Sequence, residues 1–305
     1  MPDGPLFSII ATGGTIASRT ASDGSSTPSL DGRALLARLG SLPPVRLRAV
    51  DLMARDSSTL TLADMQAISD AVGAELADPR VAGVVVLHGT DSMEETALLL
   101  ALQHGPAPVM LTGAQFTDDH PLADGPANMA AAIRAVLDGP GGGVRVAFGG
   151  RLLPAWGLIK NATDNADAFR LAVETPMPDI RLEAPVDRVR VDVVAVHPGA
   201  EAVHLDASLE TGAQGIVLAA LGSGNATAAV VAAVGRCRDR GVPVVLSSRV
   251  PMGRLAASYG GGGGGHDLVA AGAVLSPVLR PGQARVLLAA LIAAGQAGRA
   301  GEVFG

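Results

Sequence analysis

Two apolar runs in this chain end in the same way. Leu6–Ala11, with isoleucines at its centre, stops at Thr12-Gly13-Gly14-Thr15, and Val81–Leu87 stops at His88-Gly89-Thr90-Asp91. Short, largely apolar runs enriched in β-branched residues read as strands buried on both faces, the situation of a parallel sheet. Parallel neighbours need long crossovers, usually helices, so the pattern points to an α/β fold. Glycines let the backbone turn sharply and bring main-chain N–H groups close to a ligand. The threonines put hydroxyls at the carboxyl end of each strand, where open α/β sheets bind ligands. A tight turn with capping threonines is the plainer reading of the same residues, and the turn alone does not choose.

Further strands are expected at Val45–Leu52, Pro108–Leu111 and Val144–Phe148, then at Val191–Val196, Gly215–Ala219 and Val242–Leu246. Helical segments are expected at Asp31–Leu39, from Leu62, through Ala97–Gln103, from the Ala123-Asp124-Gly125-Pro126-Ala127-Asn128 start to Leu137, and near the end at Val286–Ala294. Arg19–Ser29 is polar, with Gly, Ser and Pro, and reads as a mobile loop, which its position suits to covering a site and its composition equally to an ordinary surface loop. Six glycines, Gly260–Gly265, read as a floppy loop. Charge and proline concentrate between Glu174 and Arg190. The expected organisation is a larger N-terminal, mostly parallel sheet domain (residues 1–180), a linker (181–190) and a smaller C-terminal α/β domain (191–305).

Composition narrows the function. The net charge is −6, spread without basic blocks, which argues against nucleic acid as partner. No charge-free apolar run is long enough to span a bilayer, and the first ten residues lack the basic and apolar regions of a signal peptide. Cys237 is the lone cysteine, so no internal disulfide forms and a cytoplasmic protein is the default. Lys160 is the lone lysine in 305 residues.

Among the polar residues at strand ends are Thr15, Ser57, Thr90 and Asp91, to which Lys160 is added. There is no G-x-S-x-G and no H-E-x-x-H, and the glycine turn after the first apolar run lacks both the dinucleotide and the P-loop pattern. The six histidines show no metal-ligand spacing, so no metal is expected. A threonine hydroxyl is a poor nucleophile until a base lies within hydrogen-bond reach and a third group orients that base. A desolvated lysine serves as such a base and a carboxylate orients it. Thr, Lys and Asp together with backbone N–H groups at the glycine turns make a complete set for acyl transfer.

The motifs ATGGTIA (Ala11–Ala17) and HGTDSMEET (His88–Thr96) closely resemble the two signatures of bacterial-type L-asparaginases. The resemblance continues through TGAQ at 112–115, ADGPANM at 123–129, Lys160, GSGN at 222–225, SSRVP at 247–251 and ARVLL at 284–288. It implies hydrolysis of L-asparagine to L-aspartate and ammonia, often with some glutaminase activity, and no cofactor. It implies homodimers or homotetramers with shared active sites. Residue by residue, it makes Thr15 the nucleophile and Thr90, Asp91 and Lys160 the group that assists proton transfer. Ser57 matches the residue that binds the substrate α-carboxylate, and Asp91 also matches the one facing the α-ammonium. Ala114 matches a position near the leaving amide, and Asn225 one that reaches a partner's site. Ser58 and the turn glycines Gly14 and Gly89 complete the substrate-binding set.

Two departures stand out. The family carries a lid tyrosine beside its first threonine, whereas Ser18–Gly32 holds none and the only tyrosine is Tyr259. Serines or Thr27 occupy the matching region. The family also often supplies a partner glutamate near the glycine-rich loop, and Tyr259–His266 has no acid. Either Tyr259 enters the site from a neighbour, or Thr15 relies on water and Lys160. The alternatives are a glutaminase or related short-amide hydrolase, and a non-catalytic amino-acid sensor of the same fold. The family's tRNA-dependent amidotransferase member shares the motifs but carries an extra N-terminal domain, and this chain begins at the first strand.

Overall fold

The computed structural model describes residues 4–20, 23, 25–28, 30–40, 42–139 and 143–305. The chain forms two compact units. The first comprises residues up to Ala155 together with Lys160–Arg170, and the second comprises Trp156–Ile159 and Leu171–Gly305.

The first unit opens with β1 (Leu6–Gly13), followed by a small antiparallel hairpin of β2 (Ser18–Thr20) and β3 (Ser26–Pro28). Then come α1 (Gly32–Leu36), β4 (Arg46–Arg55), α2 (Leu62–Leu76), β5 (Val81–Leu87), α3 (Met93–His104), β6 (Val109–Thr112) and α4 (Gly125–Leu137). The strands β7 (Arg145–Phe148) and β8 (Arg151–Pro154) complete its sheet. The sheet order is β4-β1-β5-β6-β7-β8, parallel except for β8.

Both faces of the central strands β1, β5 and β6 are covered, which is why these strands are almost wholly apolar, whereas the edge strands β4 and β8 are partly exposed. Phe7, Ile9, Val85 and Leu87 pack with Ile133 and Met129 of α4 on one face. The alternate residues Ile10, Val84 and Val86 are equally buried, and α2 packs on β1 and β5. On the α2 side Ser8 donates to Glu75, which also pairs with Arg48. α2 begins with a capping box in which the Thr61 hydroxyl receives the Asp64 N–H and the Asp64 carboxylate receives that of Thr61, satisfying two orphan donors of the first turn.

The chain leaves β1 toward β4 and returns across β1 to β5, so the winding direction reverses between β1 and β5. This is the switch point at which connections splay apart and leave a crevice.

After β8, β9 (Leu158–Lys160) pairs with β10 (Phe169–Leu171). The proline-rich stretch at 174–190 has no regular structure, yet Leu182 and Val186 are buried. The second unit is a four-stranded parallel sheet, β11 (Val191–Ala195), β12 (Gly215–Ala220), β13 (Val244–Ser248) and β14 (Val274–Leu275), in that order. α5 (Val203–Glu210), α6 (Ala228–Asp239) and α7 (Gly265–Ala271) form one apolar cluster with it, through Leu205, Val230, Val234 and Leu268. α8 (Pro281–Ala293) packs on β11, β12 and β13. α9 (Ala300–Phe304) ends the chain. The fold is thus a larger, mostly parallel N-terminal sheet domain and a smaller C-terminal α/β domain.

Two local expectations differ. The polar segment after β1 is partly paired, with Ser18 opposite Pro28 and Thr20 opposite Ser26. The glycine run is held in place: Gly262 and Gly264 donate their N–H groups to the Asp267 carboxylate at 2.7 and 2.9 Å, and the Gly263 carbonyl accepts the Ala226 N–H. A carboxylate one turn into α7 gathers the loop, which glycine content alone could not reveal. Among the described residues no helix is long and apolar enough to cross a membrane.

Candidate active site

Three turns meet at the switch point. Gly13 and Gly14 have φ of +102° and +77°, the left-handed region that favours glycine. Gly14 donates its N–H to the Arg55 carbonyl at 3.0 Å, tying the β1 turn to the end of β4. A Cβ on Gly14 would lie 2.3 Å from the Gly89 Cα, and one on Gly89 would lie 2.5 Å from the Ser57 Oγ. The turns after β1, β4 and β5 therefore touch through backbone, and only glycine permits it. Thr12 Oγ1 donates to the Leu87 carbonyl at 2.9 Å, bracing β1 against β5.

These turns wall a cavity of about 160 Å³, smaller than the roughly 300–1,000 Å³ of a drug-sized pocket and scaled to a small polar molecule. Thr15, Ser57, Thr90, Asp91 and Lys160 all line it, with Gly14 and Gly89. Lys160 Nζ donates to Thr90 Oγ1 and to Asp91 Oδ1, each at 2.7 Å. The lysine side chain is 18% exposed and the aspartate 54%, so the amine is sheltered while the carboxylate still meets solvent. Ser57 Oγ accepts the Asp91 N–H at 3.1 Å, and Ser92 Oγ donates to the Ser57 carbonyl at 2.7 Å. Asp56 also lines the cavity, and its carboxylate accepts the Ser58 N–H and hydroxyl at 3.0 Å. Capping and presentation of a polar wall thus coexist at this turn.

The remaining candidates lie elsewhere. Ser58 faces Asp56 and is not part of the wall. The Ala114 side chain is buried in the apolar cluster with Ile16 and Met129. Asn225 belongs to the second unit, where its Oδ1 accepts the Gly265 N–H at 3.3 Å. Tyr259 is also in the second unit and is 61% exposed. Ser22 and Ser29, and the side chains of Ser26 and Thr27, all in the region matching the lid tyrosine, lie outside the described residues. The β2 strand is latched to the loop after β6. Arg19 pairs with Asp118 at 3.2 Å, Asp118 donates its N–H to the Ser18 carbonyl at 3.1 Å, and Thr20 donates its N–H to Asp119 at 3.0 Å.

Residues not singled out from the sequence also shape the site. Ser18, whose hydroxyl donates to the Gly14 carbonyl at 2.9 Å, and Gln115 complete the wall. Behind it lies Glu94, whose carboxylate accepts a hydrogen bond from the Lys160 backbone. Burial pushes that carboxyl up to about 8, repulsion from Glu95 adds to the rise, and the Lys160 charge opposes it. His88 is fully buried, and burial lowers its ring to about 4. Its Nδ1 lies 2.7 Å from the Gly89 carbonyl and its Nε2 2.9 Å from Thr96 Oγ1. A carbonyl only accepts, so in the neutral ring Nδ1 carries the proton and Thr96 donates to Nε2. The HGTD and MEET residues hinted at polar chemistry, but their burial could not be read from the sequence. Among the described residues no three His, Cys, Asp or Glu side chains gather as a metal site.

The arrangement of nucleophile-type hydroxyls, one amine and two carboxylates in a small polar cavity agrees with the comparisons to known proteins. The family model described as Asparaginase, N-terminal, matches residues 7–188, and that described as Glutaminase/Asparaginase C-terminal domain matches residues 190–301. A probable L-asparaginase of Deinococcus radiodurans is 34% identical, over 94% of this chain and 93% of that protein. A glutamyl-tRNA(Gln) amidotransferase component of Aeropyrum pernix is 30% identical, over 87% of this chain and 69% of its own length. An L-asparaginase of Bacillus licheniformis is 26% identical, over 93% and 94% of the two chains. The chain belongs to the asparaginase/glutaminase family of amidohydrolases.

Proposed function

We propose that the protein hydrolyses L-asparagine to L-aspartate and ammonia, with Thr15 as nucleophile. The observation that carries this reading is the Lys160 amine, 2.7 Å from both the Thr90 hydroxyl and the Asp91 carboxylate, in the cavity that Thr15 lines. Thr15 Oγ attacks the side-chain carbonyl carbon, and its proton goes to the amide nitrogen as the C–N bond breaks and ammonia leaves. Water, oriented by Thr90 and Lys160, then cleaves the resulting ester and restores the Thr15 hydroxyl. Asp91 holds the amine in place and attracts the substrate ammonium, while Ser57 receives the α-carboxylate. The Gly14 N–H is committed to Arg55 and that of Asp91 to Ser57. Among the described residues, the Thr15, Gly89 and Thr90 N–H groups are the donors left at the two turns for the tetrahedral oxyanion.

We further assign a homodimer or homotetramer with Asn225 and Tyr259 at a shared site, Gly14 and Gly89 as secondary substrate contacts, Ser58 and Ala114 as contacts through main-chain atoms only, since their side chains lie outside the wall, no cofactor, and a cytoplasmic location. A glutaminase is the second reading, favoured by the similarity to glutamyl-tRNA(Gln) amidotransferases and by the C-terminal family's description. Ammonia release from asparagine and from glutamine, measured side by side, tests both. Release from neither, with aspartate still bound, makes the protein a sensor.

A further inference from the structure

Gln115 closes the β6 end of the cavity, and one of its side-chain polar atoms is left over. Its backbone N–H is held by both oxygens of the Asp124 carboxylate, each at 3.0 Å. Its side-chain Nε2 donates to the Thr163 carbonyl, three residues beyond Lys160. A carbonyl only accepts, so the nitrogen faces Thr163 and the orientation of the amide is settled. The other atom, Oε1, is buried, and no described residue donates to it. A buried acceptor without a donor is costly, and Gln115 forms part of the cavity wall.

The order of the turns says what would supply the donor. Ser57 follows β4, Thr15 follows β1, Thr90 follows β5 and Gln115 follows β6, and these strands lie side by side in that order. A ligand with its carboxylate at Ser57 and its reacting carbon between Thr15 and Thr90 has its far end toward Gln115.

We propose that Gln115 is a specificity-determining residue whose Oε1 accepts an N–H from the leaving carboxamide nitrogen of the substrate. The proposal rests on the amide-hydrolysis reading above. Gln115 takes no covalent part: it holds the nitrogen while the C–N bond breaks and the proton from Thr15 arrives there. Oε1 has no accessible surface of its own here, so it meets a donor through a small turn about the soft terminal torsion of glutamine, one that keeps Nε2 within reach of the Thr163 carbonyl. An acceptor at this place also repels a carboxylate oxygen, so it selects the amide over the acid product.

The test compares L-asparagine with the β-methyl ester of L-aspartate, whose leaving group has no N–H. In Gln115→Met, kcat/KM for asparagine is expected to fall by about tenfold or more, the scale of one lost hydrogen bond in a closed site, and that for the ester to change by less than about twofold. An equal fall for both substrates, including loss of both, overturns the proposal, as does an unchanged amide rate. Failure of the parent reading looks different: the natural protein itself then releases no ammonia from asparagine.

Discussion

The hydroxyl oxygen of Ser57 accepts the backbone N–H of Asp91 at 3.1 Å, although 34 residues separate them. The contact pins the turn after β5 to the turn after β4, and so sets where the Asp91 carboxylate meets Lys160. Ser57→Ala removes the acceptor and leaves a part-buried N–H unpaired, a cost of about 1–3 kcal/mol. Thermal melting of the variant is expected to show this loss, and kcat/KM for asparagine to drop by about tenfold or more. Unchanged melting together with unchanged kinetics would show that the contact is dispensable.

Lys160 supplies the only amine in the cavity. Lys160→Met removes both of its hydrogen bonds while keeping most of the side-chain volume. Ammonia release from asparagine is expected to fall by about 10²–10⁴-fold, the range of a positioned proton-transfer group, while aspartate still binds by calorimetry. A fall of less than about threefold would take Lys160 out of the chemistry.

Thr15 and Thr90 both line the cavity, and the assignment of the nucleophile separates them. Thr15→Val is expected to bind aspartate yet accumulate no acyl-enzyme by mass spectrometry of the intact protein. A covalent adduct on Thr90 in that variant would reverse the roles.

Glu94 predicts a pH effect on stability. Burial raises its carboxyl from the ordinary 4.5 to about 8. Between those values the unfolded chain holds Glu94 ionised while the folded chain keeps it protonated, so folding takes up a proton. Its contribution to stability therefore falls as pH rises from 4.5 through 8. Glu94→Gln keeps the shape and cannot ionise. Melting temperatures across pH 5–9 should coincide for the two proteins at the acid end and diverge in favour of the variant toward pH 9. Parallel curves would falsify the assignment.

Gly14 is the position where three turns close on one another. Its φ of +77° and the 2.3 Å approach of an added Cβ to the Gly89 Cα predict that Gly14→Ala destabilises by roughly 2–4 kcal/mol, through backbone strain and displacement. Urea unfolding measures it. A loss below about 0.5 kcal/mol would mean that the turns separate without cost.

Much of this site was legible before any coordinates. Leu6–Ala11 and Val81–Leu87 are local patterns, and the glycine turns that end them are local too, so the strand ends and the hydroxyls on them could be placed. Lys160 stands out in the sequence by its rarity and by the family resemblance, and no local pattern around it says that it reaches Thr90, 70 residues away. Gln115 and Thr163 are 48 residues apart, and such contacts exist only once the sheet order is known. Glu94 and Glu95 stand side by side in the first turn of α3 with the same chemistry; the burial that raises the Glu94 carboxyl is a property of the packed fold. The segment after β1 read as irregular because its residues are polar, whereas pairing of β2 with β3 uses main-chain groups that composition does not show.

The rarity of lysine has a practical side. Amine-selective reagents find one ε-amino group on this chain, and it lies inside a cavity, 18% exposed. Among side chains, acylation or reductive methylation thus has a single address, separable from an α-amino group by peptide mass, and a ligand filling the cavity would shield it. The protein carries its own occupancy reporter, readable by mass without any engineered tag.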